Sequence, residues 1–381
     1  MSLLKKTITL KIEKPAYGGS SIGFHEHKVI IVPYAVPGDT LRVKITDEKK
    51  DYCIGNIESC ISEEVARIKP VCSNFEQCGG CSYLHLPYQA ELMLKQSIVK
   101  DNLSRIAGLQ PESAPEIEIL YRRRFHYRSH AEFKVNGGLP GFYRKGSNVH
   151  IPVSTEGCFL LAEGINSFIK NNILPRNGFK IALDASNRIV TSYQDEPVVT
   201  EVVNGLSYKR RVDEFFQANR FIRPVMMVTV GTYAALSQSE TFLDIGCGVG
   251  FFTLYLAGKS SHGTGIDING ESIRWAKHNA RLNDVDNVDF LAVPASHIHP
   301  VRHYADVVVI DPPRAGIDRK TRKAITAMKP QRIVYISCNP STFSRDAKDL
   351  IRAGYDLAKI TLVDMFSCTH HIEVISLFNR R

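Results

Sequence analysis

The 381-residue sequence has no apolar run of the roughly 18 residues that a membrane-spanning helix requires, which excludes a helical membrane protein. Its first residues, Met1-Ser2-Leu3-Leu4-Lys5-Lys6, lack the long apolar stretch and small-residue cleavage site of a secretory leader, so a cytoplasmic protein with no membrane partner is expected. No internal repeat or low-complexity linker interrupts the chain. The cysteine count, nine, is odd, and in a cytoplasmic setting that argues against a disulfide scaffold and for metal binding or thiolate chemistry. Acid is scarce in one place. Between Tyr121 and His150 the one acidic residue is Glu132, against seven basic ones: Arg122, Arg123, Arg124, Arg128, Lys134, Arg144 and Lys145. Most of the net charge of +9 therefore sits in this segment. Tyr121, Phe125, Tyr127, Phe133, Phe142 and Tyr143 interleave with it. Basic and aromatic side chains together neutralise phosphates and stack on bases, although a solvated strand surface over buried aromatics gives the same pattern.

Hydrophobic residues make up 44% of the chain, enough for real cores, and at roughly 150 residues per domain the length suggests two or three domains. Residues 1–60 read as short strands, Ile8–Ile12, Lys28–Val32 and Leu41–Ile45, punctuated by Gly18-Gly19, Gly23 and Pro37-Gly38-Asp39. Closely spaced strands with glycine turns predict a small barrel. Residues 61–205 form a second region with a cysteine cluster, a helix over Tyr88–Ala107 stopped by Gly108, and basic-aromatic strands joined at a Gly137-Gly138 hairpin turn. Residues 206–381 alternate short apolar strands with helices, the pattern of a doubly wound α/β domain.

In that last region Asp244-Ile245-Gly246-Cys247-Gly248-Val249-Gly250 closes a strand and opens a helix. Glycines there let the backbone turn sharply and approach a ligand, and Asp267 ends the next strand, where it can accept both hydroxyls of a ribose. A dinucleotide enzyme meets these points as well. Cys338 ends a later strand, and ligands of open α/β sheets sit at the carboxyl edge. Glu373 opens a final strand that is expected to run antiparallel, which brings its first residue to that same edge, beside Cys338. A thiol and a carboxylate together suit methylation of uracil. C5 of uracil is too weak a nucleophile to take a methyl group directly, so a thiolate adds at C6 first, and a base afterwards removes the C5 proton.

Cys72, Cys78 and Cys81 lie close in sequence, and Cys158 follows much later. Three near thiolates and one distant one suit a four-iron cubane, with tetrahedral zinc as the alternative.

These segments resemble known families. Gly18/Gly19–Gly23, Val32-Pro33-Tyr34-Ala35-Val36-Pro37-Gly38-Asp39 and Val43-Lys44-Ile45 resemble a TRAM domain, an OB-like RNA-binding barrel; the alternative is a small barrel used for protein contact. Asp244 before the first glycine and Asp311-Pro312-Pro313-Arg314 resemble a class I S-adenosylmethionine-dependent methyltransferase. With Phe215-Phe216-Gln217-Ala218-Asn219, Ser337-Cys338-Asn339-Pro340 and Thr369-x-His371-x-Glu373, nearly the whole chain resembles the RNA uridine-5-methyltransferase family, in its iron–sulfur branch. The resemblance implies a Rossmann-like catalytic domain behind the barrel and a central α+β domain. It implies S-adenosyl-L-methionine contacts at Gln217, Asp244, Gly246, Gly248, Phe251, Asp267 and Asp311, and a [4Fe-4S] cluster on Cys72, Cys78, Cys81 and Cys158. It implies Cys338 as nucleophile and Glu373 as base. The expected product is 5-methyluridine in structured RNA, 23S ribosomal RNA favoured and transfer RNA next, made by a monomer. The contrasting reading is a noncatalytic RNA-binding or assembly protein on a degenerate methyltransferase fold. The sequence departs from the family at Gly246, where an aromatic residue is usual, and at Ser367-Cys368, where Pro-His is usual.

Overall fold

The computed structural model describes residues 2–110 and 112–381. The chain opens with strands β1 (Thr7–Ala16), β2 (Ser20–His25), β3 (Lys28–Pro33), β4 (Thr40–Glu48) and β5 (Tyr52–Ser62), which close into a barrel in the order β1-β2-β3-β5-β4. Alternation along β1 and β4 turns Ile8, Leu10, Ile12, Leu41, Val43 and Ile45 into one buried cluster with Ile30 and Val32, as period-two burial requires. Helix α1 (Tyr88–Asn102) follows. The expected helix runs to Ala107, but Leu103–Ala107 is a π-helical turn, closed by Gly108 in the left-handed region at φ 75°.

The middle of the chain supplies β6 (Ile117–Leu120), β7 (His130–Asn136), β8 (Leu139–Tyr143), β9 (His150–Pro152), α2 (Glu163–Asn171), β10 (Phe179–Leu183), β11 (Ile189–Thr191), β12 (Val198–Val203) and β13 (Leu206–Arg211). Strands β7 and β8 form the expected hairpin, with Gly137 and Gly138 both at positive φ. The boundary expected between 205 and 206 falls inside another hairpin. Val203 pairs with Leu206 across Asn204-Gly205, both at positive φ. An Asn-Gly pair reads equally well as a linker or as a tight type I′ turn, and here it is the turn.

The rest is α3 (Arg223–Ala234), β14 (Thr241–Ile245), α4 (Phe251–Ala257), β15 (His262–Asp267), α5 (Gly270–Leu282), β16 (Val288–Ala292), β17 (Val307–Ile310), α6 (Arg319–Met328), β18 (Arg332–Ser337), α7 (Pro340–Arg352), β19 (Tyr355–Val363) and β20 (Glu373–Arg380). One eight-stranded sheet runs β16-β15-β14-β17-β18-β20-β19-β6. The first five are parallel, and β20 is antiparallel to both neighbours, β18 and β19. The edge strand β6 comes from far upstream and pairs with β19 in parallel.

By compactness the chain divides into two units. The first holds residues up to Asp101, Phe142–Glu156 and Phe366–His371; the second holds Asn102–Gly141, Gly157–Met365 and Ile372–Arg381. Among the described residues no helix is long and apolar enough to cross a membrane.

Candidate active site

The second unit carries the site at the carboxyl edge of its sheet. Strand β14 delivers Asp244 and then turns through Gly246, Gly248 and Gly250, at φ 82°, 53° and 90°. Side-chain-bearing residues rarely adopt these angles. A Cβ on Gly246 would lie 2.4 Å from the Asp311 carbonyl oxygen, so two strand ends approach here as closely as backbone allows. Gly248 N–H donates to Asp267 Oδ2 at 2.9 Å, and Asn269 N–H donates to Asp267 Oδ1 at 2.8 Å. The carboxylate at the end of β15 is thereby fixed against the glycine loop.

Asp244 is fully buried. Its Oδ2 accepts from Thr253 Oγ1 at 2.5 Å, while Oδ1 has no protein partner. Burial pushes this carboxyl up to about 7, and the charge of Asp267 adds to the rise. Asp311, after β17, is raised to about 7 for the same reason, with Asp244 and Asp267 as the charged neighbours. Its Oδ2 accepts from Gln217 Nε2 at 3.5 Å. Gln217 is held from behind: Arg223 Nε donates to its carbonyl at 2.5 Å, and Glu201 bridges Arg223 and Arg210 at 2.6 and 3.1 Å. Phe251, expected at the cofactor, is buried in an aromatic cluster with Phe216, Phe252 and Tyr208 at centroid distances of 5.3, 4.8 and 5.8 Å.

Cys338 follows β18 and precedes α7, whose N-cap is Asn339. Asn339 Oδ1 accepts from Ser341 N–H at 3.0 Å, and its Nδ2 donates to the Arg314 carbonyl at 3.2 Å, so the cap also docks the Asp311–Arg314 turn. Glu373 is the first residue of β20. Its successor Val374 pairs with Ser337, which sets Glu373 across from Cys338 as the reversed strand predicts. Glu373 is 5% exposed. Burial pushes its carboxyl up to about 8, Asp311 adds to the rise, and Arg314 opposes it. The Cys338 thiol is half-buried and pushed up to about 11 by burial, then by Glu373 and Asp311, with Arg314 again opposing. Cys338, Glu373, Asp311 and Arg314 thus share one electrostatic neighbourhood. Arg314 was visible in the sequence as the end of Asp-Pro-Pro-Arg, but no role followed from its position there.

These residues fit a sulfonium cofactor. Asp244 and Glu373 are buried acids and Asp311 a half-buried one; the charged forms of all three are disfavoured as they stand, and a cation would relieve them. Asp244 Oδ1 is a buried acceptor without a protein partner, and glycines at 246, 248 and 250 carry the loop through positive φ without side chains.

The cysteines divide between the units: Cys72, Cys78 and Cys81 in the first, Cys158 in the second. All four are partly exposed. Among the described residues no three His, Cys, Asp or Glu side chains are grouped as ligands of one metal ion.

Comparison with known proteins agrees with the fold. The pattern of the tRNA (Uracil-5-)-methyltransferase family matches residues 176–381, and the TRAM domain pattern matches residues 2–57. An uncharacterized RNA methyltransferase of Aquifex aeolicus is 32% identical, over 98% of each chain. Another from Listeria innocua is 30% identical, over 99% of this chain and 98% of its own. Among solved structures, Pyrococcus abyssi tRNA (uracil-54, C5)-methyltransferase in complex with S-adenosyl-L-homocysteine superposes with a TM-score of 0.74 at 23% identity, over 97% of this chain and 100% of its own.

Proposed function

From the premise that the chain belongs to the tRNA (uracil-5-)-methyltransferase family, we propose that it forms 5-methyluridine through a covalent bond between Cys338 and C6 of the target base, with Glu373 as the base that ends the reaction. The chain is an S-adenosylmethionine-dependent RNA methyltransferase by family; the covalent route is our reading. The observation that carries it is the pairing of β18 with a reversed β20, which sets a half-buried thiol and a buried carboxyl at one sheet edge.

In this reading Cys338 loses its proton and its sulfur bonds to C6, moving the C5=C6 electron pair into an enolate. Bound S-adenosyl-L-methionine supplies the methyl group that C5 takes. Glu373 then accepts the C5 proton, the C5=C6 bond reforms and the thiolate leaves. One proton is released overall. Asp311 and Gln217 hold the cofactor side of the site, with Asp244, Gly246, Gly248 and Asp267 around it. Phe251 joins them from the aromatic cluster in which it packs. Arg314 draws the Cys338 thiol toward its reactive form. The barrel of residues 7–62 and the basic segment from Tyr121 hold the RNA.

Transfer RNA is the target to test first. The ribosomal preference drawn from the sequence has no side chain behind it, whereas the full-length likeness is to a transfer RNA enzyme. Incubating the protein with methyl-labelled cofactor and either transfer RNA or 23S ribosomal RNA, followed by nucleoside analysis, tests the proposal. Labelled 5-methyluridine in one of them is expected, and label at another atom or in neither RNA overturns it.

We also propose Cys72, Cys78, Cys81 and Cys158 as iron–sulfur ligands, on their spacing and the family resemblance. Protein purified without oxygen should be brown, with about four irons per chain for a cubane. Colourless protein holding one zinc overturns the assignment.

A further inference from the structure

The residues just before Glu373 leave the sheet unit. Strand β19 ends at Val363, Phe366–His371 belongs to the first compact unit, and Ile372 returns the chain to the second. In the first unit this short loop is held by two fully buried charges one helical turn apart on α1. Glu91 and Lys95 pair at 2.8 Å with side chains 0% and 1% exposed. Each also binds the loop backbone: Cys368 N–H donates to Glu91 Oε1 at 2.6 Å, and Lys95 Nζ donates to the Phe366 carbonyl at 3.1 Å. The Cys368 carbonyl accepts from Ser82 N–H at 2.8 Å and Tyr83 N–H at 3.0 Å. Cys368 itself is buried and sits at φ 67°, a conformation that a non-glycine residue keeps only when its surroundings impose it.

A buried ion pair is a poor source of stability. Taking both charges out of water costs about as much as their attraction returns, and an apolar pair of similar volume often serves as well. What an apolar pair cannot do is fix a loop by its backbone. We propose that Glu91 and Lys95 are positioning residues for the catalytic base: they lock Phe366–Cys368, and through the four residues that separate Cys368 from Glu373 they set where the Glu373 carboxylate lies. This rests on the reading of Glu373 as the base. Proton removal from C5 needs a carboxylate within hydrogen-bond reach of one atom, whereas sulfur addition and methyl transfer do not use Glu373. Loosening the clamp therefore slows the last step selectively.

The test uses full-length protein, RNA that the wild type methylates and methyl-labelled cofactor. The double variant Glu91→Leu/Lys95→Met keeps volume and removes both contacts to the loop. Folded protein should show an unchanged KM for RNA, product release slowed about tenfold or more, and a labelled protein–RNA adduct that survives denaturing electrophoresis. Glu91→Gln alone keeps the shape and weakens the grip, and should slow release about threefold with a fainter band. A purely structural pair would lower Tm without changing the ratio of adduct to product. Wild-type release with no adduct in either folded variant overturns the proposal; if the double variant does not fold, Glu91→Gln decides it. Glu373→Gln is run alongside. If that variant turns over normally, the reading of Glu373 has failed, and the fault is then not in the clamp.

Discussion

Cys338 and Glu373 are both held toward their protonated forms, and the proposed reaction needs both deprotonated at different moments. Burial and neighbouring carboxylates raise the thiol to about 11 and the carboxyl to about 8, while Arg314 works against both shifts. A site tuned this way does little until its ligands change the local charge, which protects a thiol from idle chemistry. Glu373→Gln separates the steps. Sulfur addition and methyl transfer remain, elimination does not, so a labelled covalent RNA adduct should accumulate on a denaturing gel and Cys338→Ala should show none. Normal turnover by Glu373→Gln would make the residue a structural carboxyl. The same variant has a thermodynamic signature. A carboxyl raised from 4.5 to about 8 on folding favours the fold fully below the lower value and loses that contribution as pH rises through the higher one. Glutamine does not titrate, so the Tm of the variant relative to wild type should climb between about pH 5 and about pH 9.

At the scale of elements, the sequence shows most where local chemistry and global topology agree. Strand β14, three glycines and α4 are legible because only glycine suits those positive φ angles. The reversed β20 follows from the methyltransferase sheet, and with it the meeting of Glu373 and Cys338. The Gly137-Gly138 turn and the Gly108 stop are equally local signals. What the sequence hides is non-local. Nothing near Ile117 says that it pairs with Ile360 at the far edge of the sheet. Nothing local in the sequence marks Arg223, Glu201 and Arg210, yet they form a buried network behind Gln217. Asn204-Gly205 resembles a linker because the sequence does not disclose that Val198–Val203 and Leu206–Arg211 pair. Phe251 is expected at the cofactor from the glycine-loop segment, yet its packing partners Phe216 and Tyr208 lie far upstream.

At the scale of the molecule, the net charge of +9 matters less than where it is placed. Arg122 and Arg123 are exposed, and the Arg123 and Arg220 guanidinium groups lie 4.7 and 4.8 Å from the Phe221 ring centroid. Cations stacked on an aromatic face keep their charge and some of their hydrogen-bonding edge, which suits a phosphate or a neighbouring base. If this surface holds RNA backbone, binding must release counterions, and the logarithm of affinity must fall linearly with the logarithm of salt concentration. Each phosphate contact contributes about 0.7 to that slope for single strands and about 0.9 for duplex. Replacing Arg122 and Arg123 together by alanine should flatten the slope by about 1 to 2 and weaken binding of all RNA sequences alike, while single-turnover methyl transfer at saturating RNA stays near wild type. A titration of binding against salt, by filter retention or fluorescence anisotropy, measures the slope directly. An unchanged slope would mean that these arginines face solvent in the complex and that RNA is gripped elsewhere. A lost slope together with lost saturated rate would place them at the reacting base itself.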